Sequence, residues 1–131
     1  MTAVKDLCIL FPVGAVGYCA LEILWRGRTH LSMAVVGGIC FVLIYVINKY
    51  LPDYSYTFRA FLCAVAITLV ELMSGVVLNI VLRLNVWDYS KSPFNILGQI
   101  CPLYSILWFC LSFVIICVGN SYFKEAMTAF L

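Results

Sequence analysis

The sequence predicts an all-α integral membrane protein, a bundle of four transmembrane helices. Of its 131 residues, 65% are hydrophobic and 11% are charged, and the mean hydropathy is +1.07. Soluble domains are about 45–50% apolar and about 25% charged, so this balance fits a chain whose outer surface faces lipid. Each of four apolar runs is close to or longer than the roughly 20 residues that a helix needs to cross a bilayer. We expect residues 1–131 to form a single transmembrane domain with spans at about 7–25, 31–50, 60–84 and 94–119.

The first two spans are joined by a short charged connection. The run from Arg26 to His30 contains two arginines and a glycine, which end the first span. Thr29 or Ser32 is expected to cap the second helix, because hydroxyl side chains accept hydrogen bonds from free backbone N–H groups. Gly37 and Gly38 lie inside the second span and predict a close approach to a neighbouring helix.

The second half begins with an aromatic segment, Tyr54–Phe58, which is typical of the headgroup region. The third span is long enough to be tilted. After a polar connection, we expect Ser92 to cap the fourth helix with Pro93 as its first residue. Pro102 then falls inside the fourth span and predicts a bend there.

Polar residues recur every fourth position inside two of the spans. The third span carries Glu71, Gly75, Asn79 and Arg83, and residues four apart share one face of a helix. The first span repeats the pattern with Gly14, Tyr18, Glu22 and Arg26. Since polar groups facing lipid cost several kcal/mol each, both stripes are expected to face inward.

These stripes predict a central polar cavity around two intramembrane carboxylates, Glu22 and Glu71. The residues expected to line it are Tyr18, Glu22, Arg26, His30, Glu71, Asn79, Arg83, Asn95 and Gln99. Trp87, Asp88 and Tyr89 are expected to form a lid over it, with Asp88 within reach of an arginine, namely Arg26, Arg28 or Arg83.

A structural alternative is that the carboxylates only hold helices together. Glu22 would then pair with Arg26 or Arg28 near the surface. The hydrogen-bond partners of Glu71 would be Asn79, His30 or a backbone group. Ionisable groups inside a membrane are functional candidates by default. For Glu71 this favours a functional role in the cavity over a packing role.

Several function classes are disfavoured by composition and motifs. A net charge of +2 with scattered basic residues does not indicate a nucleic-acid partner. The seven cysteines lie in apolar runs, which favours small buried side chains over a disulfide framework or a zinc site. One histidine predicts no metal site, and no catalytic or phosphate-binding motif indicates an enzyme or a cofactor. The N-terminal run lacks the pattern of a cleaved signal peptide and is expected to belong to the mature fold.

Two weak correspondences suggest a tandem repeat of a two-helix unit. Ala15-Val16 precedes Glu22 at the spacing at which Ala64-Val65 precedes Glu71. Gly37-Gly38-Ile39-Cys40 also corresponds to Gly98-Gln99-Ile100-Cys101. Chance similarity between apolar segments is the alternative. A true repeat would make the two glutamates equivalent and place them around a shared axis.

The distribution of basic residues leaves the orientation nearly balanced. Four lie on each side of the predicted membrane: Lys5, Lys49, Arg59 and Lys124 on one side, and Arg26, Arg28, Arg83 and Lys91 on the other. If Arg26 and Arg83 turn toward the bundle, the positive-inside rule favours cytoplasmic termini.

Four motifs also carry a family resemblance. In chain order they are Gly17-Tyr18-x-x-x-Glu22, Trp25-Arg26-Gly27-x-Thr29-His30-x-Ser32-Met33, Glu71-x-x-x-Gly75 and Trp87-Asp88-Tyr89-Ser90-x-x-Pro93-x-Asn95-x-x-Gly98-Gln99-Ile100-Cys101. They resemble the bacterial "putative ABC-transporter type IV" or CmpB-type permease family. The last two are also similar to the animal transmembrane protein 229 family. The resemblance implies a small permease of the bacterial cell membrane and, by name only, an ATPase subunit as partner.

Three functions remain open at the level of sequence. The first is a transporter or permease component, expected to form a homodimer because four helices barely enclose a path. The second is an intramembrane protein or enzyme acting on a lipid head group, with Glu71, His30 and Asp88 as acid–base candidates. The third is a structural membrane subunit whose polar stripes only join helices.

Overall fold

The computed structural model describes residues 2–130 and the side chains of residues 4–120. Its helices are α1 (Thr2–Arg26), α2 (Leu31–Tyr50), α3 (Tyr56–Gly75), which continues as a π-helix (Val76–Val81), and α4 (Pro102–Phe130). The stretches Val4–Arg26, Leu31–Tyr50, Tyr56–Val81 and Pro102–Asn120 are each long and apolar enough to cross a membrane. Within the described residues only one isolated bridge and no strand occurs. The predicted class, an all-α membrane protein with four transmembrane helices, is confirmed.

Helices α1 and α2 pack closely because each contributes a glycine to their contact. A Cβ atom added at Gly14 would collide with Phe41 and lie 3.1 Å from the carbonyl oxygen of Gly37. A Cβ atom at Gly37 would in turn collide with Tyr18. The sequence prediction that Gly37 permits close helix approach is therefore confirmed.

Helices α2, α3 and α4 surround a buried apolar cluster. Helix α2 packs against α3, and α3 packs against α4, whereas among the described residues no Cα atom of α1 lies within 8 Å of one in α4. The buried members of this cluster are Cys40, Ile44, Ala60, Cys63, Ile67 and Ile116. The bundle is therefore closed on the α2–α3 side and open between α1 and α4.

The cap of α2 and the start of α3 differ from the sequence predictions. His30 caps α2, and its Nδ1 accepts a hydrogen bond of 3.2 Å from the backbone N–H of Ser32, so neither Thr29 nor Ser32 is the cap. Ser55 caps α3 by accepting from the Phe58 N–H at 3.2 Å. Helix α3 therefore starts inside the aromatic segment rather than after it.

The prediction that the fourth helix begins at Ser92 and Pro93 is wrong. Phe94 and Leu97 have φ angles of 57° and 56°, in the left-handed region that an α-helix cannot contain. Helix α4 begins only at Pro102. The proline therefore occupies the first helical position, where its missing N–H costs nothing, and it produces no bend.

The 82–101 segment between the π-helix and α4 folds on itself. The Tyr89 N–H donates to the Gly98 carbonyl at 2.7 Å, and the Ile96 N–H donates to the Ile100 carbonyl at 3.0 Å. Trp87 is buried against Met33 of α2. This connection is thus a compact, partly buried element of the bundle.

Polar contacts also join the helices at the end of the bundle away from the 82–101 segment. Arg59, which is buried, donates to the Asn48 side chain at 2.5 Å and to the Tyr54 carbonyl at 3.0 Å. Asn48 donates onward to Asn120 at 3.0 Å. These bonds join α2, α3 and α4.

One half of the suggested repeat is not reproduced in local structure. Gly37–Cys40 lies inside α2, whereas Gly98–Cys101 belongs to the 82–101 segment and is not helical. The two stretches have similar residues but different backbone conformations.

We expect Gly14→Ala to destabilise the α1–α2 pair. The new methyl group must displace the Phe41 side chain or the Gly37 backbone, and such overpacking typically costs about 1–3 kcal/mol. Gly17→Ala is the matched control on the same helix, because no described atom outside its own stretch of helix lies within 4 Å of the added Cβ. Thermal unfolding followed by circular dichroism in detergent compares them, and equal melting temperatures for both variants would contradict this packing.

Candidate functional site

One face of α3 binds the 82–101 segment. The Asn79 side chain donates to Gln99 Oε1 at 2.7 Å and accepts from the Val86 N–H at 2.7 Å. Gly75, one turn earlier, leaves room for the Gln99 side chain, whose Oε1 would lie 2.6 Å from an added Cβ. We call Glu71, Gly75 and Asn79 the docking face. The predicted polar stripe extends from Glu71 to Asn79, and it contacts the 82–101 segment.

Arg83 does not extend this stripe, contrary to expectation. The π-helix ends at Val81, and its wider turn, with the Leu82 N–H bonded to the Val77 carbonyl at 2.9 Å, breaks the spacing of four. Arg83 has a φ of 53° and is exposed.

Glu71 is buried and accepts one hydrogen bond on each carboxylate oxygen. The Tyr89 hydroxyl donates to Oε1 at 2.9 Å, and the Trp108 indole N–H donates to Oε2 at 3.0 Å. Its side chain is only 6% exposed. Neither Asn79 nor His30 is its partner, so that expectation is wrong. The carboxylate instead joins α3 to both the 82–101 segment and α4.

Glu22 is also buried, at the C-terminal end of α1. Arg26, four residues later, donates to its Oε1 at 3.1 Å, and the Thr29 hydroxyl donates to its Oε2 at 2.9 Å. Arg26 donates a further bond of 2.6 Å to the Val86 carbonyl. The expected pairing of Glu22 with Arg26 is confirmed, and the pair also secures the 82–101 segment.

A groove of about 630 Å³, which we call the α1–α4 groove, lies beside these contacts. Its lining residues are Tyr18, Leu21, Glu22, Trp25, Arg26, Arg28, Asn85, Trp87, Asp88, Tyr89, Ser92, Tyr104, Leu107, Trp108 and Leu111. One wall comes from α1, the opposite wall from α4, and the polar end from the α1–α2 connection and the 82–101 segment.

Aromatic rings form part of the groove walls. The rings of Tyr18 and Trp108 have centroids 5.9 Å apart, so these side chains meet although their helices do not pack. Tyr89 stacks on Tyr104 with centroids 4.6 Å apart. At the rim, Trp25 is 73% exposed. The groove is therefore exposed at its rim, and its two walls touch where the Tyr18 and Trp108 rings meet.

The structure places the predicted site residues, apart from Arg83 and Asn95, in three positions. Those that line the groove are Tyr18, Glu22, Arg26, Trp87, Asp88 and Tyr89. Behind its wall lie Glu71, bonded to Tyr89 and Trp108, and the hydrogen-bonded pair Asn79 and Gln99. His30 lines a neighbouring pocket of about 150 Å³, which also contains Glu22 and Arg26.

Asn95 does not face an interior, contrary to expectation. Its side chain donates to the carbonyls of Ser90 and Ser92, at 3.2 and 2.9 Å, and accepts from the Gly98 N–H at 3.0 Å. All three partners belong to the 82–101 segment, so Asn95 shapes this segment.

Asp88 makes no ion pair with an arginine in the described part of the chain, so that expectation is also wrong. Its Oδ1 accepts from the Ser90 N–H at 2.9 Å. Hydrogen bonds from the backbone and side chain of Ser90, together with nearby Lys91, lower the pKa of Asp88 below its ordinary value. Asp88 therefore carries its negative charge at the open end of the groove.

Sequence reasoning missed several lining residues. Among them are Leu21, Trp25, Arg28, Tyr104, Leu107, Trp108 and Leu111. A signal existed, because the α1 wall uses positions 18, 21, 22 and 25, and the α4 wall uses positions 104, 107, 108 and 111. Both sets follow the three-and-four spacing of one helix face. In an apolar run, however, such a face also fits contact with lipid.

The fold and the groove define a small four-span membrane protein with a polar-ended lateral groove. The family profile described as "Putative ABC-transporter type IV" matches residues 16–130, and the chain belongs to this family. The resemblance in the sequence motifs is thereby confirmed, while similarity to transmembrane protein 229 stays a prediction. Comparison with curated proteins and with solved structures gives no match.

We expect Glu71→Leu to destabilise the protein clearly more than Glu71→Gln. Leucine leaves the Tyr89 hydroxyl and the Trp108 indole N–H without an acceptor, at about 1–3 kcal/mol for each unsatisfied group. Glutamine keeps an acceptor for the indole and can donate to the hydroxyl oxygen. Thermal unfolding in detergent measures both variants, and a leucine variant as stable as the glutamine variant would refute a bonding role for Glu71.

Proposed function

We propose that the protein is the membrane component of a transport system, and that the α1–α4 groove takes up an amphiphilic substrate sideways from the bilayer. The observation that carries this proposal is the lateral opening between α1 and α4. Family membership supports the transport role. A substrate that enters from lipid needs such an opening, because the other sides of the bundle are packed.

The distribution of lining residues supports an amphiphile rather than a small polar solute. Charged side chains gather at one end, where α1 ends and the 82–101 segment begins, and they include Glu22, Arg26, Arg28 and Asp88. Leu21, Leu107 and Leu111 line the walls of α1 and α4. A molecule with a charged head and an apolar tail matches both regions, and the volume falls in the usual range of roughly 300–1,000 Å³ for ligand sites.

The two carboxylates have different parts in this proposal. Glu22 lines the α1–α4 groove directly, beside Arg26. Glu71 acts from behind the wall, because its hydrogen bonds hold Tyr89 and Trp108, and both of these rings line the groove. Glu71 is therefore a positioning residue in the proposed uptake.

The proposal extends to partners and location. The four spans act as one transmembrane domain in a bacterial cell membrane, with cytoplasmic termini. A groove with one open side encloses a substrate only partly, which favours a homodimer that covers it. The family description names an ABC transporter, and on this basis an ATPase subunit supplies the energy.

The alternative is a protein that binds a lipid head group without moving it. Among the described residues a further cavity of about 150 Å³, distinct from the pocket at His30 and lined in part by Tyr45 and Lys49, is separate from the groove. A binding site that stops inside the bundle suits retention of a lipid as well as its transport. An ATPase partner distinguishes the two functions.

The three tryptophans report on the groove, because Trp25, Trp87 and Trp108 all line it. We expect the Trp25→Phe protein to lose about half of its fluorescence in bilayers of phosphatidylcholine brominated on its acyl chains. The estimate assumes that an acyl chain in the groove quenches Trp108, while Trp87 is 3% exposed and keeps its emission.

A second substitution tests whether this quenching occurs inside the groove. Leu111→Phe fills the groove and should restore most of the emission. Leu103→Phe is the matched control, because Leu103 lies on the same helix, is 59% exposed and does not line the groove. Equal quenching in both variants would place the acyl chain on the outer surface and refute lateral uptake.

The transport role predicts a nucleotide-hydrolysing partner. Cross-linking in native membranes, followed by mass spectrometry, should join this chain to a subunit that carries a phosphate-binding loop. Cross-links only between copies of this chain would favour the lipid-binding alternative.

A further inference from the structure

We infer that the groove binds the phosphate group of a membrane phospholipid, and that Arg28 recognises this phosphate. The inference rests on the proposed function, since it names the substrate class of the same groove. It starts from the charges at the polar end, where four charged residues line the wall: Glu22, Arg26, Arg28 and Asp88.

Two of these charges are already paired with each other, and a third, Asp88, is bonded within its own segment. Glu22 has both carboxylate oxygens bonded, to Arg26 and to Thr29. Arg26 uses its second amino group on the Val86 carbonyl at 2.6 Å. Asp88 accepts a hydrogen bond from the Ser90 N–H, and the nearby Lys91 partly offsets its negative charge.

Arg28 is the cation that remains. It is exposed, it lines both the groove and the small pocket beside it, and it has no hydrogen-bond or ion-pair partner among the described residues. A guanidinium group offers five N–H donors in a planar fork that fits two oxygens of a phosphate. The side chains of Asn85 and Ser92 line the same end and add donors for the remaining oxygens.

The apolar walls decide between a lipid and a free phosphate ion. Leu21 and Leu111 continue the groove from the charged end between α1 and α4, and the side toward lipid is open. An inorganic phosphate would leave this apolar length empty. A phospholipid places its phosphate at Arg28 and one acyl chain along the leucines, while its second chain remains in the bilayer.

The test uses the full chain with Trp25→Phe in a neutral maltoside detergent. Two probes with identical brominated chains are titrated, phosphatidylglycerol and diacylglycerol, which differ by the phosphate-bearing head group. We expect half-maximal quenching of Trp108 at an about tenfold lower mole fraction of phosphatidylglycerol, which corresponds to about 1.4 kcal/mol.

Arg28→Gln should make the two probes nearly equal, and Arg28→Lys should give an intermediate ratio. Arg83→Gln is the matched control, because it removes an exposed arginine from the same end of the bundle outside the groove. Thermal unfolding should be unchanged by Arg28→Gln, since Arg28 makes no contact that folding requires.

Each contrary result overturns a different statement. A full tenfold preference in Arg28→Gln, or the same loss in Arg83→Gln, refutes recognition by Arg28. Equal quenching by both probes that Leu111→Phe relieves refutes the phosphate and leaves lateral uptake intact. Quenching that Leu111→Phe does not relieve refutes the proposed function itself. Displacement of phosphatidylglycerol by inorganic phosphate refutes the choice of a lipid.

Discussion

The docking of the 82–101 segment on α3 is the interaction on which the rest of the structure depends. Glu71 lies about 15 Å before the end of the π-helix, at about 1.5 Å per residue. Tyr89 reaches down to it, so this non-helical segment enters the bundle. Inside a membrane such a backbone is tolerated only where protein satisfies its polar groups. The docking face, the side chain of Asn95 and the internal bonds of the segment supply partners for many of these groups.

This docking also shapes the groove. Tyr89 and Trp87 become walls only because Glu71 and Gln99 hold them, the latter by accepting from the Trp87 indole N–H at 3.0 Å. Arg26 fixes the Val86 carbonyl from the side of α1. Of the polar groups that sequence reasoning placed in a cavity, Glu71, Asn79 and Gln99 thus form the frame of the groove, while Tyr18, Glu22 and Arg26 belong to its lining.

The features that the sequence could predict follow from constraints that act along the chain, namely the length of an apolar run and the spacing of residues on a helix. Bilayer thickness sets the length of an apolar run, so four helices were readable, and the spacing of four correctly placed Glu71, Gly75 and Asn79 on one face. The start of α4 was not readable, because Phe94 and Leu97 adopt left-handed conformations only in their tertiary setting. The partners of Glu71 were equally hidden, since Tyr89 and Trp108 lie 18 and 37 residues away.

The glycine contact between α1 and α2 has a mechanical consequence when it is set beside the bonds of Glu71. Gly14 and Gly37 interlock one pair of helices, and Glu71 fastens α3, the 82–101 segment and α4 into a second body. The groove runs along the seam between these halves, where the Tyr18 and Trp108 rings touch without a hydrogen bond between them. Arg26 bonded to the Val86 carbonyl near the groove, and Asn48 bonded to Arg59 at the other end of the bundle, cross from one half to the other, so polar bonds hold this seam at both of its ends.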